Sequence, residues 1–238
     1  MNGTDSADNR SRKVFISGGS SGIGMAMVRL FAAHGWEVAT VDINRAEFPR
    51  EVHFTQGDLA SKETVARLKQ QLDSLNFEPD ILVLNAGKGI HQKLSEGDPD
   101  EWEHVIQLNL LGALRLLRTF LPAMIQKKTA DVVFINSVSA RNTYPYGGVY
   151  AATKAALDMV AETLRLEQQP QLRVSRIFPG VVDTSFFENM IDGGQNPESI
   201  GWGALSPEHI AETILYVLNQ PHEVAMNEIV IRPVAQPM

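Results

Sequence analysis

The sequence predicts an α/β protein: an open, doubly wound sheet of seven mostly parallel strands with helices on both faces. Three observations predict it. Short apolar runs alternate with longer helical patterns along the whole 238 residues, the order that a parallel sheet with crossover helices produces. The runs are continuous in Val, Ile, Leu and Phe rather than alternating, as strands buried on both faces require. The first run leads directly into a glycine-rich turn and a helix, "VFISGGSSGIGMAMVRLF" at 14–31. A closed barrel of eight units would fit the length, but only seven strands can be counted, so the open sheet is preferred.

The elements follow in order. "KVFIS" (13–17) precedes a helix from about Gly22 to His34. "EVATVD" (37–42) and "VHFTQ" (52–56) come next, then a helix over Ser61 to Ser74 with Ser61 and Thr64 near its expected cap. "DILVLNAG" (80–87) leads through a loop to one long helix from about Asp98 to Lys128. "DVVFINS" (131–137) precedes a helix from about Gly148 to Gln169, and "RVSRIFPG" (173–180) is followed by an irregular stretch. A helix over Pro207 to Asn219 and a last strand "EIVIR" (228–232) complete the series.

Composition bounds the function. Apolar residues make up 44% and charged residues 21%, ordinary values for a globular protein with a substantial core. The absence of cysteine excludes disulfides, a thiolate nucleophile and a Cys-ligated zinc. A net charge of −7 without any basic block argues against nucleic acid as a partner. The apolar stretches fall short of the roughly 20 residues of a membrane span. The opening "MNGTDSADNRSR" (1–12) has no hydrophobic core and reads as a loose tail rather than a signal peptide or anchor. The expectation is a soluble cytoplasmic protein.

In a doubly wound sheet, ligands bind at the carboxyl ends of the strands, so the residues there carry the functional signal. The glycine turn fits neither a phosphate loop ending in Lys-Ser/Thr nor the G-x-G-x-x-G spacing; alone it is a tight turn before a helix. Asp42 ends the second run, where a carboxylate can accept from a ribose and repel a 2′-phosphate; a plain turn Asp is the alternative. Asp58 follows the third run and Asn85-Ala86-Gly87 the fourth, small or flexible groups that let a ligand approach the backbone. Ser137 ends the fifth run. Beyond it "YAATK" places Tyr150 and Lys154 four apart, on one face if helical. An ammonium beside a phenol is expected to lower its pKa from about 10 toward neutrality, making a general acid or base. Of the four tyrosines only Tyr150 has a Lys at that spacing.

Taken together, these residues resemble the short-chain dehydrogenase/reductase family. The turn matches its T-G-x-x-x-G-x-G pattern as Ser17-Gly18-x-x-x-Gly22-x-Gly24, with Ser in place of Thr. The resemblance continues through Asp58-Leu59, "NAG" at 85–87, Asn109, Ser137, Tyr150, Lys154 and "PGVVDT" at 179–184. It implies a Rossmann-type NAD(P)-binding domain over 13–238 and hydride transfer between nicotinamide and a carbonyl or secondary alcohol. Gly18, Ser20, Ser21, Gly22, Ile23 and Gly24 would form the pyrophosphate loop. Asp42 would hold the adenosine ribose, Asp58 with Leu59 the adenine, and Asn85, Ala86 and Gly87 the far ribose region. Tyr150 would transfer the proton, with Lys154 lowering its pKa and binding the nicotinamide ribose. Ser137 would orient the substrate oxygen and Asn109 support a water leading from Lys154 to solvent. Pro179, Gly180, the Val182 backbone and Thr184 would hold the carboxamide. No metal is implied.

The cofactor expectation is NAD(H), because of Asp42 and the uncharged Ser20 and Ser21; NADP(H) stays open because Arg45 could reach a 2′-phosphate. The ending "EIVIRPVAQPM" departs from the family's "VDGG"-like segment, so the resemblance does not define the wall that this tail forms. Residues 185–205, with two phenylalanines, a tryptophan and glycines, read as a substrate lid or as a packed surface helix with a loose loop. His91 reads as a solvated loop residue with a substrate contact as the alternative. The resemblance also implies self-association to a dimer or tetramer. A dinucleotide-binding sensor or scaffold without turnover is the competing function, disfavoured because it has no use for Asn109, Ser137, Tyr150 and Lys154 together.

Overall fold

Seven strands pair side by side in the order β3-β2-β1-β4-β5-β6-β7, every pair parallel. They are β1 (Lys13–Ser17), β2 (Glu37–Asp42), β3 (Val52–Gln56), β4 (Ile81–Leu84), β5 (Ala130–Ile135), β6 (Leu172–Pro179) and β7 (Glu228–Ile231). The helices are α1 (Gly22–Ala33), α2 (Lys62–Ser74), α3 (Pro99–Ile106), α4 (Ala113–Met124), α5 (Gly148–Gln168) and α6 (Pro207–Leu218). The structure, a computed structural model, describes residues 11–49, 51–127, 129–193 and 200–237.

The continuous apolar runs have the reason expected of them. In β4 all four residues are buried, Leu82 and Leu84 on one face, Ile81 and Val83 on the other. In β1 Phe15 faces the first side, and Val14 and Ile16 the second. The period-two alternation of strand side chains thus feeds two cores. One lies under α2, α4 and α5 and includes Leu68, Leu116, Phe120, Leu157 and Val132. The other lies under α1 and α6 and includes Met27, Phe31, Ile210 and Ile214. At about 1.5–3 kcal/mol per buried large side chain, these two layers hold the sheet rigid beneath its loops. Chain order reverses between β1 and β4, which opens a crevice where their carboxyl ends diverge.

The long helix expected over Asp98–Lys128 runs over Pro99–Lys127, with a wider turn inside it. Asp98 caps α3 by accepting from Asp100 N (2.9 Å), with Pro99 in the first turn. A π-helical turn, Gln107–Gly112, then joins α3 to α4. Within this turn the buried Asn109 accepts from Lys88 N (2.8 Å) and donates to Lys88 O (3.0 Å), clamping the loop after β4. Such wide turns recur at functional sites. Among the described residues, the run Pro99–Lys127 is the one helix long and apolar enough to cross a membrane by length and composition. Here Val105, Leu116, Leu117, Phe120 and Met124 bury its apolar side against the rest of the fold.

Arg12, the last residue of the expected loose tail, is held fast. Its guanidinium pairs with Asp131, donates to Leu218 O (2.9 Å) and lies over the Trp36 ring. Arg173 donates to the other Asp131 oxygen (2.6 Å) and to carbonyls of Leu218, Gln220, Pro221 and Val224. Asp131 is 3% exposed, and a carboxylate so buried needs both cations and hydrogen bonds to persist. The cluster sits at the amino end of β5, away from the carboxyl-end crevice. Asp131→Ala is expected to destabilise the fold by about 3–5 kcal/mol, because it leaves the nearly buried Arg173 without its counter-ion. Urea unfolding midpoints of the variant and the parent check this, and a shift equivalent to under 1 kcal/mol would contradict it.

Candidate active site

The glycine turn sits at the crevice. Gly18 has φ +74°, open to glycine at little cost, and its N–H donates to Val41 O (2.8 Å). A Cβ on Gly24 would overlap the Gly18 carbonyl oxygen, so only glycine lets α1 start this close to β1. Ser21 is the residue before α1, and its hydroxyl makes no capping bond. The first turn carries no acidic residue, so the amides of Gly22, Ile23 and Gly24 face the cavity without a partner among the described residues. Free N–H groups at a helix start make an anion seat.

The turn is fixed from behind by a residue whose role the sequence did not signal. The buried Ser17 hydroxyl accepts from Asn85 N (2.9 Å) and Ala86 N (3.0 Å). Asn85 Nδ2 returns two bonds, to Ser17 O (3.0 Å) and Gly18 O (2.9 Å). The ends of β1 and β4 are therefore laced across the point where the strands part. Asn85, Ala86 and Gly87 also line the cavity.

At the far end, Asp42 accepts from Ser20 N (3.0 Å) and Asn44 N (3.1 Å) and lines the cavity. Leu59 lines it too, whereas Ser20, Asp58 and Asn109 do not. Asp58 uses its carboxylate locally, accepting from Ala60 N (2.8 Å). Asn109 sits behind the wall, also donating to Thr153 Oγ1 (3.1 Å), which in turn donates to Tyr150 O (2.7 Å). Asn109 thus ties the loop after β4 to the first turn of α5.

Ser137, Tyr150 and Lys154 meet in one buried corner beyond β5, all of them lining the cavity. The Ser137 hydroxyl accepts from Ser139 N (3.1 Å) and lies close enough to the Tyr150 phenol to lower its pKa. Lys154 donates to Ile135 O (2.8 Å), and its Nζ lies 5.9 Å from the Tyr150 ring centroid. The expected electrostatics are reversed here. Burial raises the Tyr150 pKa well above its ordinary value, with the Ser137 hydroxyl opposing and Tyr144 adding slightly. Burial also lowers the Lys154 pKa to about 8. Desolvation penalises phenolate and ammonium alike, and it is the leading cause of both shifts. Burial therefore keeps the phenol protonated at neutral pH.

The cavity has a volume of about 660 Å³, within the range of small-molecule sites. From Asp42 to the β5 end it crosses three strand spacings, about 14 Å at ~4.8 Å each. Pro179, Gly180, Val182 and Thr184 line its floor, and Phe186, Phe187, Met190 and Trp202 its mouth. Phe186 packs on Tyr150 with centroids 5.6 Å apart. The segment over 185–205 is fastened by two single bridges, Ile90 to Ile191 and Val182 to Leu205; its residues 194–199 lie outside the described residues. His91 also lines the cavity and stacks edge-on to Tyr146 (5.1 Å). Residues that sequence reasoning passed over are Tyr144, Asn136, Gln236 and Pro237, all on the wall. Asn136 is next to Ser137 in the chain and Tyr144 lies seven residues beyond it, which was their only signal. A dinucleotide fits these residues: an anion seat in the middle, a carboxylate at one end and a buried proton donor at the other.

Relatives agree with this geometry. An uncharacterized oxidoreductase of Listeria monocytogenes is 29% identical over 96% of this chain and 98% of its own length. A serine dehydrogenase complexed with NADP+ superposes with a TM-score of 0.87 at 26% identity, covering 95% of this chain and 96% of the other. A 4-hydroxyisoleucine dehydrogenase complexed with NADH gives a TM-score of 0.84 at 27% identity, over 93% and 97% of the two chains. Residues 12–193 match the short chain dehydrogenase family. With its strand order, glycine seat and buried Ser137, Tyr150 and Lys154 in place, the chain belongs to the short-chain dehydrogenase/reductase family of oxidoreductases.

Proposed function

We propose that the chain transfers a hydride between NAD(H) and a carbonyl or secondary-alcohol substrate, with Tyr150 as the proton-transferring residue. The observation that carries this reading is the buried corner of Ser137, Tyr150 and Lys154, which opens into the same cavity as the Gly18–Gly24 seat. Bound nicotinamide supplies or accepts the hydride. The chain manages one proton and the orientation of the reactants. In the reducing direction the Tyr150 phenol, kept protonated by burial, donates to the carbonyl oxygen, and the Ser137 hydroxyl steadies the same oxygen. Lys154, fixed on Ile135 O, is the cation that a ribose hydroxyl would meet.

Asp42 supports NAD(H), since its fixed carboxylate faces the adenosine end and no Arg lines the cavity among the described residues. The two solved relatives are named for serine and 4-hydroxyisoleucine, hydroxy amino acids, which makes small hydroxy acids the first substrates to try. Phe186 and Trp202 would cover such a substrate as a lid. The exposed Met159 and Leu166 on α5 support self-association through that helix.

Three outcomes test the reading. Tyr150→Phe should retain dinucleotide binding by fluorescence titration and lose about 10²–10⁴-fold in turnover; unchanged turnover would refute the proton-donor role. Asp42→Ser should shift the NADP-to-NAD ratio of kcat/KM toward NADP by about tenfold or more, as removal of one repelling charge predicts. A parent protein that already prefers NADP would contradict the assignment of Asp42. Lys154 gives a pH signature. Its folded pKa of about 8 lies below the ordinary lysine value of 10.5, so the unfolded chain binds more protons between these values. Stability from this group therefore rises with pH across that window, by roughly 3 kcal/mol in all. Lys154→Met should lack that rise when unfolding midpoints are compared across pH 8–10.5.

A further inference from the structure

The backbone that leaves β6 is tied down in an alternating way. Gly180 N donates to Ile231 O (2.8 Å) and Val181 N donates to the side-chain Oε1 of Gln236 (2.9 Å). Leu205 N donates to Val181 O (2.9 Å), and Asp183 N donates to Leu205 O (2.8 Å). Successive residues of an extended segment turn their polar groups to opposite sides. With Val181 and Asp183 committed to Gln236 and Leu205, the Val182 N–H and C=O point the other way. They have no partner among the described residues, and Val182 lines the cavity. One free donor and one free acceptor on adjacent atoms complement a primary carboxamide, which offers one of each in return.

Gln236 is the unexpected member of this arrangement. It lies beyond β7 in the segment that departs from the family pattern, and a glutamine is ordinarily exposed, yet this one is 7% exposed. Its own N–H donates to Pro233 O (3.0 Å), so a turn delivers the side chain to its acceptor position. Gly180 is matched to it. A Cβ at Gly180 would overlap Gln236 Oε1 and come within 2.6 Å of Arg232 Cβ. A glycine in one segment and a buried amide in another, more than 50 residues later, thus form one fitted contact.

We propose that Gln236 is a positioning residue for the carboxamide of the nicotinamide. By accepting from Val181 N it fixes the Gly180–Val181 peptide, and through the Val181 backbone it sets the next two peptides, pinned by Leu205, in which Val182 presents its donor and acceptor to the cavity. Without it, the Val181 N–H is a buried donor with no acceptor, which favours rotation of that peptide. This inference rests on the dinucleotide reading above and adds a residue to it.

The test compares two ligands that differ only by the nicotinamide end. NADH and ADP-ribose are titrated by calorimetry against the parent, Gln236→Leu and Gln236→Glu. Gln236→Leu removes the acceptor and should weaken NADH about tenfold while leaving ADP-ribose within about twofold. Gln236→Glu keeps an acceptor oxygen at the same reach and should bind NADH within about threefold of the parent. If Gln236→Leu does not fold, Gly180→Ala displaces the same amide and should give the same selective loss. Equal loss of both ligands in either variant would mark a general packing role and overturn the proposal, as would unchanged NADH binding. A loss in Gln236→Glu as large as in Gln236→Leu would overturn it too. A parent protein that binds neither ligand would refute the dinucleotide reading itself, which separates that failure from one confined to Gln236.

Discussion

Everything at the cavity depends on how the chain satisfies its backbone where β1 and β4 part. A parallel sheet supplies partners along its length, but at the reversal of strand order the ladder ends and amides are left over. Ser17 and Asn85 fill this gap for each other, the hydroxyl taking two N–H groups and the amide returning to two carbonyls. That lacing lets the glycine turn stand open with its own amides free. A serine in place of threonine at this position retains the one group the lacing uses, the hydroxyl. The fixed end of β1 then sets where α1 begins, and α1 sets the anion seat.

From there the site is an exercise in placing polar groups out of water with just enough partners. Ser137 accepts from Ser139 N beside the Tyr150 phenol, and Lys154 rests on a carbonyl. Asn109 holds the loop after β4 and the first turn of α5 by three bonds from inside a widened helical turn. Each group is anchored by the main chain rather than by another charge. Burial therefore dominates the titration of Tyr150 and Lys154, keeping the phenol protonated and the amine easily deprotonated.

Much of the fold was legible because punctuation and burial agree. The bounds of β1, β2 and β3 follow from runs closed by Gly, Asp or Gln, and Ser61 caps α2 as its side chain predicts. The fourth strand stops at Leu84, with Asn85-Ala86-Gly87 beyond it as expected, and Asn85 turns to serve the lacing. The π-helical turn left no local signal, and the Lys88 that its Asn109 clamps lies 21 positions away in sequence. Most of the site came from strand-end residues read as a set, and the family resemblance joined them. The Tyr150–Lys154 electrostatics did not, because sequence spacing carries a distance but not a degree of desolvation. Gln236 left no trace at all: a lone glutamine between Ala235 and Pro237 has no pattern to betray a buried acceptor.

The Asp131 cluster has a consequence for how this protein can change. It knots Arg12, Arg173 and the carbonyls after α6 at the amino edge of the sheet, while the chemistry sits on the opposite rim. Arg12, Asp131 and Arg173 thus share no position with the lining of the cavity. The loops of the rim can be rewritten by mutation without loosening the knot, so new specificities can be sampled on a scaffold that is already held closed.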